Sequence, residues 1–216
     1  GGMIAATFLL PEPITPDKRR PFRAGPVLAG LGRVWRHRDG RRLAINGALH
    51  FGGTFLYISG APMVMALLGG GAQDFWKLFV PIVVGMIAGS WASGRLAHLP
   101  GRRLATYGYM IGTAGLLMNL AIALIPATRT LPFAVLALPI LTFGMSMTFP
   151  ILNLAMLDLF PHDRGAAASV QGFSSLLVNA LIAGALAPLL GGSLITLAIG
   201  SLVLFLSAWF VWTRHL

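Results

Sequence analysis

In a chain this apolar, chemistry falls to the few side chains that can ionise, ligate or attack. The 216 residues hold six carboxylates, five histidines and no cysteine, which removes thiolate nucleophiles, disulfides and Cys-ligated metals. The histidines do not cluster at ligand spacing, so neither a metal nor another cofactor is expected. No carboxylate falls in the middle of an apolar run; Asp158 stands at the end of one. An acid at a helix C-terminus opposes the helix dipole. Asp158 therefore pairs with Arg164 or a turn arginine such as Arg102, or it is solvated. His50 is the one histidine inside an apolar run, and a hydrogen-bonded structural role is expected of it. Asn46, Asn119, Asn153, Gln171 and Asn179 are also enclosed, where interhelical hydrogen bonds worth about 1 kcal/mol each are the ordinary use.

A serine nucleophile is the remaining catalytic option. Trp91-Ala92-Ser93-Gly94 and Tyr57-Ile58-Ser59-Gly60 are similar to the serine motif of intramembrane rhomboid proteases, but both lack its first glycine. Each would need a histidine at matching depth on another helix, and His50 is the sole candidate. Ser93 is better explained by packing. With Gly85 and Gly89 it forms a small-residue face at a spacing of four, which lets another helix backbone approach closely. Gly108 and Gly112 repeat the device. No enzymatic activity is expected.

Composition says what must position these residues. Hydrophobic residues make up 56% of the chain and charged residues 10%, against roughly 25% charged in soluble domains; mean hydropathy is +0.78. The chain is an all-α integral membrane protein, and uninterrupted runs exclude a β-barrel of alternating strands. Its net charge of +10 sits beside apolar runs, which suits anionic lipid headgroups rather than nucleic acid.

Residues 1–10 are too short to span a bilayer, which takes about 20 apolar residues, and read as the end of a preceding span. Residues 11–42 form a basic cytoplasmic linker. Within it Val27, Leu28, Leu31, Val34 and Trp35 recur at helical spacing opposite Arg33, Arg36 and His37, a pattern for an interfacial amphipathic helix; a disordered linker is the alternative. Residues 43–216 form a bundle of six spans, at 43–68, 75–97, 104–125, 131–157, 165–190 and 193–212. Basic residues concentrate in the linker, the turn around Arg102, the Asp158–Arg164 connection and the tail at Arg214. The positive-inside rule puts these, and both ends of the segment, in the cytoplasm. Asn153 and Gln171 then lie at matching depth on adjacent helices, and should hydrogen bond or line one polar pocket.

The basic turn carries a resemblance. Gly94-Arg95-Leu96-Ala97-His98-Leu99-Pro100-Gly101-Arg102-Arg103 is similar to the loop motif of the major facilitator superfamily, G-x-x-x-D-R-x-G-R-R, with Gly94, Gly101, Arg102 and Arg103 matching and His98 in place of the acid. Phe55-Leu56-Tyr57-Ile58-Ser59-Gly60-Ala61-Pro62-Met63-Val64 resembles the seventh span of the Bcr/CflA drug-resistance transporters. Pro150–Asn153, Phe160 and Gly165–Phe173 resemble its tenth and eleventh spans, and Phe8–Glu12 the end of its sixth.

The resemblance implies the C-terminal half, spans seven to twelve, of a drug/proton antiporter in the bacterial inner membrane. Its partners would be an N-terminal six-span half, lipid, protons and a small-molecule substrate. In that fold spans one, four, seven and ten line a central cavity between two rocking bundles. Thr54, Tyr57, Met145 and Phe149, with Asn153 and Gln171, become the candidate substrate contacts. Gly94, Gly101, Arg102 and Arg103, with Asp158, become the loop or gating set. Uptake or facilitated transport of a small metabolite or sugar is the alternative within transport. A non-transporting six-span structural protein is the alternative outside it.

Overall fold

The computed structural model describes residues 24–215, and every regular element among them is helical. The expected span end at 1–10 and the linker up to Arg23 lie outside the described residues. Helix α1 (Ala24–Arg36) is followed by α2 (Arg38–Ser59) and the short α3 (Ala61–Leu67). Then come α4 (Trp76–Arg95), α5 (Gly101–Leu124), α6 (Leu138–Leu159) and α7 (Arg164–Leu181). A π-helical turn, Ile182–Leu186, carries α7 into α8 (Ala187–Leu190), and α9 (Leu194–His215) closes the chain.

Five stretches are long and apolar enough to cross a membrane: Ala72–Arg95, Gly101–Leu124, Phe133–Leu159, Arg164–Leu190 and Leu194–Arg214. These correspond to the last five of the six expected spans. The first differs. It is not one apolar run over 43–68 but a long helix from Arg38 and a short one, joined at Gly60. Pro62 in the first turn of α3 has no N–H to continue the α2 ladder, and glycine tolerates the junction. Helix α2 is also the polar one, with Asn46, His50 and Thr54 all buried. It can afford them because α6, α7 and α9 wrap it and supply partners that lipid would not.

Helix α6 is the most enclosed of the five spans, held between α4 and α5. Glycine makes that possible. A Cβ on Gly89 would land on the Phe143 carbonyl, and one on Gly144 would land on the backbone of Gly108 and Gly112. The small-residue faces read from the sequence are thus the two sides of the α6 contact. Away from the core, α4 presents Val80, Val84, Ile87 and Trp91 outward. These are three to four residues apart, the stripe of a lipid-facing helix.

Two apolar clusters fill the interior. One joins Val34, Leu43, Tyr109, Met145, Leu152 and Phe205; the other joins Leu56, Tyr57, Leu78, Ile82, Leu138 and Leu197.

The amphipathic helix is present as α1. It docks on the start of α7 by burying Val34 completely and by a bidentate pair between Arg33 and Asp163, with nitrogen–oxygen distances of 2.9–3.0 Å. His37 caps α2 through its Nδ1, 3.3 Å from Gly40 N, and meets the Phe160 ring edge-on at 5.4 Å.

Candidate functional site

A cavity of about 630 Å³ opens between α2, α4, α6 and α7. Phe51 enters from α2, Met86 and Ser90 from α4, and Met145, Ser146, Phe149 and Asn153 from α6. Gln171, Ser175, Leu176 and Asn179 enter from α7, and none of the lining residues is charged. Such a groove can hold a drug-sized molecule by apolar contact and orient it with neutral hydrogen-bonding groups.

Local sequence places these side chains. Pro150 sits inside α6 and cannot donate to the carbonyl of Ser146, which frees a polar backbone atom beside the groove. On α2, Gly47 clears space for Gln171: a Cβ there would stand 3.2 Å from its amide nitrogen. Gln171 is 7% exposed, so its reach into the groove is fixed by packing. Behind the wall, His50 Nε2 lies 3.0 Å from the Met145 carbonyl. That contact requires the Nε2–H tautomer, donating to Met145. The ring stacks on Phe205 at 5.2 Å and meets Tyr109 edge-on at 5.0 Å. His50 thus has the structural hydrogen bond expected of it, and it braces a groove residue.

The structure gathers four of the six expected substrate contacts. Met145, Phe149, Asn153 and Gln171 line the groove, so the last two share one polar-lined pocket. Thr54 and Tyr57 do not join them. Tyr57 lies six residues after Phe51, about 240° further round the helix, and its face is turned to the core. Its hydroxyl accepts a hydrogen bond from Asn119 Nδ2 on α5. Thr54 is equally buried. Ser90, Ser146, Ser175 and Asn179 are lining residues that sequence reasoning missed. Three of them are serines in apolar runs, too common there to stand out, and Asn179 was assigned to helix contacts.

The interhelical reading holds for two other amides. Asn46 Nδ2 donates to the Ala208 carbonyl at 2.7 Å and its Oδ1 accepts from the Tyr109 hydroxyl at 2.9 Å. Asn119 holds Tyr57. The serines of the two protease-like motifs serve packing: Ser59 donates to the Phe55 carbonyl at 2.9 Å, and Ser93 is buried on the small-residue face of α4.

The loop set lies at the α4–α5 turn, where Arg102 and Arg103 are exposed in the first turn of α5 behind Pro100. Gly101 approaches α6, with Ile151 Cγ2 3.3 Å from a Cβ placed there. Asp158 is exposed, 3.9 Å from Arg164. The closer acid–base pair at this end, Arg33 with Asp163, spans 130 residues of sequence. Its one local signal is an acid directly before a helix start, the N-cap position.

The Major Facilitator Superfamily model matches residues 1–188. A protein of Bacillus subtilis (strain 168) named "Uncharacterized MFS-type transporter YdgK" is 29% identical over 219 residues, covering 91% of this chain and 50% of that protein. The chain therefore spans about half the length of the curated relative it matches. No solved structure matches. A bundle of membrane-length helices around an uncharged groove, matched over 188 residues by one family, belongs to the major facilitator superfamily of membrane transporters.

Proposed function

We propose that the chain is the C-terminal half of a proton-coupled exporter of the Bcr/CflA type, moving drugs or small amphipathic metabolites by alternating access. The observation that carries the reading is the groove itself. Phe51, Met86, Met145 and Phe149 offer rings and thioethers with no fixed charge among the lining residues, and such surfaces adapt to varied apolar shapes. Residues 1–10 would end the sixth span, 11–42 would link the halves in the cytoplasm, and 43–216 would face an N-terminal bundle that completes the cavity and supplies the proton-coupling acid. The basic turns support a bacterial inner membrane placement with both ends of this segment inside.

A second reading, uptake of a sugar or small polar metabolite, is favoured by the neutral hydrogen-bonding groups at Asn153, Gln171 and Asn179. Because residues 1–216 hold no cysteine, one thiol introduced among them, read against the unsubstituted protein as background, separates the two. In membranes of cells making the protein, Phe149→Cys should react with N-ethylmaleimide, and excess N-phenyl-1-naphthylamine should slow the reaction while glucose does not. Tyr57→Cys, outside the groove, should show no such protection. Protection by glucose alone would favour uptake, and protection by neither would remove the groove as the substrate site.

A further inference from the structure

All the rings and thioethers of the groove, Phe51, Met86, Met145 and Phe149, come from α2, α4 and α6, with Ser90, Ser146 and Asn153 among them. Helix α7 brings no ring or thioether to the described lining; its polar side chains are Gln171, Ser175 and Asn179. These three follow one another at intervals of four, so they form a ladder up one face of α7 about 12 Å long at 1.5 Å per residue. The neighbouring serine behaves differently: Ser174 turns inward and donates to the Val170 carbonyl at 2.8 Å.

The top of the ladder is incomplete. The Asn179 side-chain oxygen is buried and has no hydrogen-bond partner among the described residues. An enclosed acceptor left unpaired is costly, and its persistence calls for an explanation. The π-helical turn begins three residues later, at Ile182, and shifts the register of everything beyond. Asn179 is thus the last α7 side chain this ladder can aim at the groove. Turns of this kind inside α-helices recur at functional sites.

We infer that the α7 face supplies a polar ladder to the substrate site, with Gln171, Ser175 and Asn179 as specificity-determining residues and Asn179 as an acceptor for a donor on the substrate. The inference rests on reading the groove as the transport site. It makes the preferred substrates uncharged molecules with an apolar face and an N–H or O–H on the opposite edge, while donor-free apolar molecules are held by the rings and thioethers alone. Carboxylates and phosphates find no cation among the lining residues.

Two uncharged fluorescent probes separate the ladder from general packing. N-phenyl-1-naphthylamine carries one N–H donor, and Nile red carries none. In inside-out vesicles from cells that make the complete gene product, energised by a pH gradient, Asn179→Leu keeps the shape of the side chain and removes its oxygen. The apparent KM for N-phenyl-1-naphthylamine should rise about five- to tenfold, the worth of one hydrogen bond, while that for Nile red stays within about twofold. Unchanged Nile red transport also certifies the variant's fold. If Asn179→Leu does not accumulate, Ser175→Ala is read the same way, with the same selective rise expected. Equal effects on both probes would make these packing residues and overturn the inference, as would no effect on either. Transport of neither probe by the wild-type protein would overturn the export reading itself, and the inference with it.

Discussion

Asn46 shows how a costly side chain is kept inside a membrane bundle. Its amide spans two contacts at once, donating to Ala208 and accepting from Tyr109, so no polar atom of the side chain is abandoned. Tyr109→Phe would leave the Asn46 oxygen buried without that donor. The expected loss is about 1–2 kcal/mol of stability, read as a lower thermal midpoint in detergent with the helical content unchanged. The same scale explains why Tyr57 stands apart from the groove that holds Met145 and Phe149. An aromatic next to Ser59-Gly60 in an apolar run carries no mark of which way it faces. Asn119, 62 residues away, decides that. That Asn153 and Gln171 share one cavity was legible because their relative depths follow from helix rise and a short connection, whereas Met145 and Phe149 were pointed to by the family resemblance of their span.

Among elements, α6 is positioned by backbone contact and α1 by a side chain. At Gly144 an added methyl would meet backbone atoms of Gly108 and Gly112, which cannot rotate away. Gly144→Ala should cost about 3 kcal/mol, the upper end for overpacking. Gly165→Ala, where nothing lies within 4 Å, should change stability by no more than about 0.5 kcal/mol. A comparison of the two thermal midpoints checks both.

The linker helix poses a choice between its ion pair and its buried valine. Arg33 and Asp163 are 59% and 33% exposed, so the pair is worth at most about 1 kcal/mol. Val34 is fully buried, and Val34→Ala should cost about 2 kcal/mol. Proteolysis near α1 should therefore accelerate more in Val34→Ala than in Arg33→Ala, and only the wild-type protein and Val34→Ala should respond to added salt. The helix itself was visible from its periodicity, whereas its dock was not, because a 130-residue contact leaves no local pattern. The break at Gly60 had a local signal in the helix-breaking Pro62, but its effect on the span was not legible. Apolarity runs straight through it, and a membrane helix tolerates a proline either as a kink or as a break.

For the whole molecule, the basic turns predict an orientation by the positive-inside rule. Tags inserted after Gly71 and after Thr128 should report the periplasm, and tags near Arg102 and His162 the cytoplasm. An outside location for Arg102 would invert the bundle. The all-helical membrane class and the family were readable because hydropathy and motif are summed over many residues. The groove was only half readable, since it depends on which face each helix turns inward. The central claim is that this uncharged groove forms one wall of a proton-coupled exporter. It is tested most directly by reconstituting the complete gene product in liposomes under a pH gradient and following an amphipathic drug and internal pH together. The account predicts drug movement coupled to opposing proton flux from the complete protein and none from residues 1–216 alone. Drug-coupled proton flux through the 216-residue chain by itself, or drug movement indifferent to the gradient, would contradict it.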